Sequence, residues 1–293
     1  MTEASPENFL NLPAPAKINL FLHLVGRRAD GYHLLQSVFL LVSLADQVDL
    51  GLRRDGAIRR SGDVAGDPER DLCVRAARLL RQKTGCGLGA DIVVRKRIPA
   101  GAGLGGGSSD AATALIGLSR LWGLQVPGAL LAEWGSELGA DVPFFIRGRN
   151  ALVEGIGEAV TPADVPEKWF ALVWPGVLSA TDVAFHRFDL TKKSSSLKIS
   201  GLSELYESGR FSFGYGRNDL QPVVTDYLPA VRQAVEFLSR SGAARMTGSG
   251  AAVFLPCEKR ADAERALEGL PEGWRGWTVR SLPSHPLLGW LEG

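Results

Sequence analysis

The first regular signal along the chain is an alternation. Over residues 14–25 (APAKINLFLHLV), Ile18, Leu20, Leu22 and Leu24 fall on one side and Lys17, Asn19, Phe21 and His23 on the other, the period of two that marks a β-strand. Residues 26–32 (GRRADGY) read as a loop with an Asp30-Gly31 turn signal, and residues 34–44 are again strand-like. Residues 48–53 and 57–60 predict a hairpin about Asp55-Gly56. The spacing becomes helical at 71–83 (DLCVRAARLLRQK), where Leu72, Ala76, Leu79 and Leu80 share a face that basic residues and Gly85 close. A strand over 91–98, a glycine-rich loop, a helix over 109–122 (stripe Ala111, Leu115, Leu118, Trp122) and a short helix over 130–138 follow.

The polar, proline-rich stretch TPADVPEK at 161–168 breaks this pattern before FALVWP restarts a strand. A boundary near residue 165 divides the chain into domains 1–165 and 166–293. The second contains a segment with the composition of a mobile, solvated loop (TKKSSSLKISG, from Thr191), a helix over 230–240, a second glycine-rich turn (MTGSGAAVFL) and a helix–strand finish. No internal repeat is present.

A length of 293 residues suits two ordinary domains, and 45% hydrophobic with 22% charged residues is the composition of a folded protein. Thirty-three basic and thirty-two acidic residues leave a net charge of +1, without the basic excess of a nucleic-acid-binding protein. Cys73, Cys86 and Cys257 are odd in number, form no CxxC pair, and share no metal-ligand spacing with the four histidines. They read as small buried or half-buried residues. The start, MTEASPENFLNL, lacks the basic and apolar regions of a signal peptide, and the longest apolar run, around residues 38–45, is too short to span a bilayer. A soluble, cytoplasmic protein is expected, without nucleic-acid or membrane partners. Nothing in the sequence bears on oligomeric state.

The most informative stretch is RKRIPAGAGLGGGSSDAATAL. Five glycines between Gly101 and Gly107 let the backbone approach an oxyanion, Ser108 and Ser109 suit the N-cap of the following helix, and Lys96 adds charge just upstream. A helix N-terminus favours a phosphate. The loop also contains the GxGxxG of dinucleotide-binding domains, but the acidic residue which that fingerprint needs on a second strand is missing: the only acid in the region is Glu133, inside a helical pattern. No glycine stretch ends in Gly-Lys-Ser/Thr, and no protein-kinase catalytic-loop signature follows. A flexible glycine turn is the bland alternative.

These residues, PAGAGLGGGSSDAATAL, resemble the phosphate-binding motif of the galactokinase, homoserine kinase, mevalonate kinase and phosphomevalonate kinase (GHMP) superfamily. PAPAKINLFLHLVGRRADGYH, LGADVPFFIRGRNALVEGIGE, RNDLQPVV and MTGSGAAVFL are similar to the other motifs of its branch that phosphorylates 4-diphosphocytidyl-2-C-methyl-D-erythritol. The resemblance runs from Pro13 to Pro256. It implies an α+β fold of two domains: an N-terminal ribosomal-protein-S5-like α/β domain and a C-terminal ferredoxin-like domain, with the site between them. It implies ATP as phosphoryl donor with Mg²⁺ accompanying it, and a small-molecule substrate carrying a cytidine diphosphate group.

Carried over by motif, Lys17 and Asp141 are the catalytic pair. Lys96, Pro99, Gly101, Gly103, Leu104, Gly105, Gly106, Gly107, Ser108 and Ser109 belong to ATP. Asn19, Tyr32, His33, Phe185, Gly248, Ser249 and Gly250 belong to the substrate, with Tyr32 and Phe185 stacking on cytosine. A carboxylate that takes the alcohol proton and an ammonium that stabilises the alkoxide are what such a transfer needs. By themselves Lys17 fits a solvated lysine and Asp141 a turn or N-cap residue. The family commonly has Asn where DLCVRAARLL begins; this chain has Asp71. No dedicated metal cage is visible. A kinase for homoserine or mevalonate, a catalytically silent nucleotide sensor and a nucleic-acid module are the competing functions.

Overall fold

The computed structural model describes residues 9–63, 67–191 and 212–291. The opening alternation becomes two long antiparallel strands, β1 (Phe9–Arg27) and β2 (His33–Arg53), which pair along their length. β1 starts inside the polar leader, and β2 runs unbroken through residues 45–47. On its other edge β2 pairs with two strands: β5 (Ala151–Gly155) against residues 35–39 and β4 (Gly89–Arg95) against residues 47–53. The hairpin expected about Asp55-Gly56 does not form. β3 (Ile58–Gly62) instead pairs in parallel with the far side of β4, because β4 holds the edge of β2 that a hairpin would need. β6 (Ala159–Pro162) completes the sheet beside β5.

Four helices cover one face of this sheet: α1 (Leu72–Thr84), α2 (Gly106–Leu121), α3 (Gly128–Gly135) and α4 (Val142–Arg147). Their core joins Leu12, Phe39, Leu41 and Leu50 to Leu80, Leu115 and Phe144. α1 has its stop and start written locally. Asp71 Oδ1 accepts the N–H groups of Cys73 and Val74, and Gly85 closes the helix at φ 70°. α2 begins three residues before the expected position, with Gly105 (φ 71°) at the N-cap and no side-chain cap. Ser108 and Ser109 are therefore inside the first turn rather than capping it. The Ser109 hydroxyl donates to Pro15 O at 2.7 Å, tying α2 to β1.

The second half supplies β7 (Trp169–Trp174), α5 (Thr181–Thr191), α6 (Gln221–Tyr227), α7 (Pro229–Ser239), β8 (Arg245–Met246), β9 (Val253–Cys257), α8 (Arg260–Ala266) and β10 (Arg275–Arg280). Its antiparallel sheet has the order β10-β7-β9-β8, the 4-1-3-2 order of a ferredoxin-like unit. Beyond Thr191, the segment read as a mobile loop lies outside the described residues. The two sheets pack face to face through Ile18, Leu20, Val38 and Leu40 on one side and Phe170, Leu172 and Phe254 on the other. The outer face of the second sheet carries its helices, with Val173, Val253 and Leu255 against Val231, Phe237 and Leu238. The layers run helix, sheet, sheet, helix, an α+β arrangement.

After β10 the chain returns to the first sheet. Leu282 N–H donates to Leu41 O at 2.8 Å and His285 N–H to Gly148 O at 2.8 Å. Asn150 accepts the Leu41 N–H at 2.9 Å and donates to Leu282 O at 2.9 Å. These contacts satisfy the stretch of β2 edge between β5 and β4 that no strand covers.

Candidate active site

The glycine loop is held from both halves of the molecule. Lys17 N–H donates to Leu104 O (3.0 Å), Ser179 and Ala251 N–H to Gly101 O (3.1 and 3.2 Å), and Ala252 N–H to Ala102 O (3.0 Å). Loop carbonyls are thereby turned into the protein, while the first N–H groups of α2 have no intrahelical acceptor. Two glycines are obligatory for this path. A Cβ on Gly103 (φ 74°) would stand 2.4 Å from Thr247 O, and one on Gly105 would stand 2.9 Å from Phe145 Cζ and 3.1 Å from Lys17 Cγ. The second glycine-rich turn is fixed by Asn218, whose amide donates to Met246 O and Gly248 O at 2.9 and 2.8 Å. Its Ser249 O accepts from Ser179 Oγ at 2.6 Å.

Between these turns opens a cleft of about 840 Å³. Lys17 and Asn19 line it from β1, Asp141 from the start of α4, Phe185 from α5, and Gly248 and Ser249 from the second turn. Lys17 is only 4% exposed, so the polar side of β1 is the floor of a cleft and not a solvated face. Its ammonium donates to Asn19 Oδ1 at 2.7 Å, lies 3.5 Å from Asp141 Oδ2 and sits 4.4 Å from the centre of the Phe39 ring. Asn19 is locked in turn, with Nδ2 donating to Ser37 Oγ at 2.8 Å and its backbone N–H to Thr247 Oγ1 at 2.8 Å. Asp141 makes no capping bond to α4. The carboxylate is left to the lysine and the cleft.

Of the residues expected to hold ATP, Pro99, Gly101, Gly103, Leu104, Gly105, Gly106, Gly107 and Ser108 line the cleft, whereas Ser109 is buried behind it. Lys96 also borders the cleft, but its ammonium is taken by two carboxylates, Asp46 Oδ2 and Asp110 Oδ2. It is thus a half-buried bridge between them at the border of the cleft. Asp110 Oδ1 is buried without a hydrogen-bond partner among the described residues. Burial above all pushes the Asp110 carboxyl up to about 7, against the opposing charge of Lys96. Asp71 does two jobs, capping α1 through Oδ1 and accepting from Arg60 Nε through Oδ2 at 2.9 Å.

On the substrate side, His33 lies against Phe185 (ring centres 5.1 Å apart, 34° between planes) and is held by Asp189 at 2.8 Å. Neither His33 nor Tyr32, which is 61% exposed, is among the residues lining the cleft. Gly250 backs the second turn, with a built Cβ 2.8 Å from Met246 Sδ. Sequence reasoning passed over Asp46, Asp110, Ser179, Asn218 and Thr247. A usable signal existed for Asp46, an acid inside the apolar run SVFLLVSLADQV, and for Asp110, Asn218 and Thr247, which lie in the motifs GLGGGSSD, RNDLQPVV and MTGSGAAVFL; none marked Ser179. Among the described residues no three histidine, cysteine or carboxylate side chains cluster to hold a metal, and no helix is long and apolar enough to cross a membrane.

Comparison with known proteins agrees with this geometry. Residues 71–149 match the GHMP kinases N terminal domain and residues 199–276 the GHMP kinases C terminal family. The chain is 48% identical over 281 residues to a 4-diphosphocytidyl-2-C-methyl-D-erythritol kinase of Herminiimonas arsenicoxydans, covering 94% of this chain and 96% of that one. It is 47% identical over 292 residues to the enzyme of that name from Aromatoleum aromaticum, covering 99% and 100%. A crystal structure of 4-(cytidine 5'-diphospho)-2C-methyl-D-erythritol kinase superposes with a TM-score of 0.80 at 32% identity, over 93% of this chain and 99% of that one. Homoserine kinase from Cytophaga hutchinsonii shares the fold (TM-score 0.70, 16% identity, 97% and 98% covered). The chain belongs to the GHMP kinases and, within them, to the 4-diphosphocytidyl-2-C-methyl-D-erythritol kinase family.

Proposed function

We propose that the protein transfers the γ-phosphoryl group of ATP to the 2-hydroxyl of 4-diphosphocytidyl-2-C-methyl-D-erythritol, in the cytoplasm, on the non-mevalonate route to isoprenoid precursors. The observation that carries the reading is the Lys17–Asp141 pair, 3.5 Å apart, placed between the glycine loop and the wall that holds Phe185 and Ser249.

The chemistry follows from the arrangement. The triphosphate is received by the unpaired N–H groups at the start of α2 and their dipole. The cytidine lies along Phe185, which offers a π-face and is backed by His33. That places the alcohol at the Lys17–Asp141 pair. Asp141 takes the hydroxyl proton as the oxygen attacks the γ-phosphorus and the bond to the β-phosphate oxygen breaks. Lys17, desolvated and aimed by Asn19, stabilises the charge growing on that oxygen. Magnesium, when bound with the triphosphate, would neutralise phosphate charge.

The test is ADP release by the purified protein with ATP and the cytidylylated methylerythritol, run beside homoserine and mevalonate. Turnover confined to the first substrate supports the reading, and preference for either of the others replaces it.

A further inference from the structure

The pairing of β2 with β4 ends at Gln47 and Arg95. Beyond it the chain leaves the sheet for the glycine loop, and the next N–H groups need acceptors of another kind. That of Lys96 donates to Asp63 Oδ2 at 2.8 Å, and those of Arg97 and Ile98 find the side chain of Asp46, the residue just before the end of the ladder. Asp46 Oδ1 accepts from Arg97 N–H at 2.5 Å and from Ile98 N–H at 2.8 Å. A carboxylate thus continues the ladder for two residues, up to the position before Pro99.

The same carboxylate reaches the other limb of the loop. Its Oδ2 binds the Lys96 ammonium, which binds Asp110 Oδ2 near the start of α2 at 2.5 Å. Oδ2 also lies 3.3 Å from where a Cβ on Gly106, the first residue of α2, would stand. One fully buried side chain therefore meets the entry to the loop, through Arg97 and Ile98, and its exit, through Gly106 and Asp110. Asp46 is not among the residues that line the cleft. Whatever it does for nucleotide binding, it does through the loop.

We propose that Asp46 is the positioning residue of the phosphate loop: it clamps both limbs so that the N–H groups of Gly106 to Ser108 are held in place before ATP arrives. Preorganisation of this kind lowers the ordering cost of binding. The inference rests on the reading of the cleft as an ATP site, and its tests separate the two.

Asp46→Asn keeps one acceptor oxygen for Arg97 and Ile98 but turns an amide NH₂ toward the Lys96 ammonium, donor against donor. The expected result is a rise in KM for ATP of about tenfold or more, with KM for the alcohol substrate within about twofold of wild type. Lys96→Met, which removes the link to Asp110 from the other side, is expected to give the same split. A folded Asp46→Asn enzyme with unchanged KM for ATP, or with both KM values raised equally, overturns the clamp. Amide hydrogen exchange on the unsubstituted protein reads it without any variant. The Arg97 and Ile98 amides should be protected without nucleotide, and free exchange there overturns the clamp as well. Failure of the wild-type protein to bind ATP at all instead removes the site reading.

Discussion

Lys17 Nζ lies 3.5 Å from Asp141 Oδ2, with the lysine reaching from the middle of β1 and the aspartate from the residue before α4. The lysine is almost wholly buried and has a second, closer acceptor in Asn19. A buried ammonium with two acceptors and an aromatic face beside it is positioned, not merely tolerated. Asp141→Asn should therefore lower kcat by about 10² to 10⁴, since shape is kept and the proton acceptor lost. Lys17→Ala should act on kcat more than on either KM. Steady-state kinetics that left more than about a third of wild-type kcat in a folded variant would remove that residue from the chemistry.

The loop glycines separate into those required by packing and those left for phosphate. Gly103→Ala drives a methyl into Thr247 O, a backbone atom that cannot swing away, so a large loss of melting temperature is expected. Gly105→Val strikes Phe145 and the Lys17 stem, and its effect on ATP would be confounded by displacement of the Lys17–Asp141 pair. Gly107 is the clean probe. It is helical, it lines the cleft, and a built Cβ meets nothing nearer than Leu72 Cδ1 at 3.5 Å. Gly107→Ala should fold with equal or greater stability, because alanine favours a helix by about 1 kcal/mol over glycine. It should nonetheless weaken ATP binding in a calorimetric titration; unchanged affinity would contradict close approach of phosphate to that backbone.

Phe185 and Tyr32 are not equivalent. Phe185 lines the cleft against His33, while Tyr32 is exposed outside it. Phe185→Ala should raise KM for the cytidylylated substrate by the worth of one base–aromatic stack, about 1–3 kcal/mol. Tyr32→Ala should shift it by less than about threefold, as for an exposed substitution. A Tyr32→Ala effect as large as that of Phe185→Ala would mean that the loop at 28–32 closes over the base. The uridine analogue should lose about tenfold in kcat/KM, the cost of one polar group left unpaired. Equal use of both analogues would deny any reading of the base edge.

Stability should depend on pH through two buried groups of opposite sign. Asp110 has its pKa raised to about 7 by burial, so the folded state favours the protonated acid. Its contribution to stability is present at low pH and is lost as pH rises through about 7. His285 is pushed down to about 4 by burial, so it stays neutral in the fold. Its contribution is present above the unfolded value of 6.5 and is lost as pH falls toward 4. Between about pH 4 and pH 7 the wild-type Tm should therefore fall with rising pH relative to that of Asp110→Asn. An identical pH dependence in the two proteins would show that Asp110 does not titrate there.

Much of the site was legible before any fold was known, because its backbone chemistry is local. A run of glycines entering a helix limits what that backbone can do, and Asp71 and Gly85 bracket α1 with capping interactions that reach no further than four residues. The two alternating stretches gave β1 and most of β2 for the same reason, since side-chain direction along a strand depends only on parity. The order of the motifs sufficed to place the chain in its superfamily and to single out Lys17 and Asp141.

Contacts between distant segments were decided only in three dimensions. Residues 48–60 carry every local sign of a hairpin, yet β4 takes the edge of β2 and β3 pairs beyond it; strand partners are chosen by which segment buries more surface, not by which is nearer in sequence. Lys96 reads from the sequence only as a charge beside the glycine loop; that it bridges Asp46 and Asp110 is decided by the fold. Lys17 reads as a solvated lysine until the second glycine turn, through Thr247 and Asn19, closes over it. Sequence determined which residues have the right chemistry and which backbone can bend to a phosphate. Burial, which sets whether a charge is a ligand, a clamp or a catalyst, depends on every layer of the fold at once, and only the packed structure settles it.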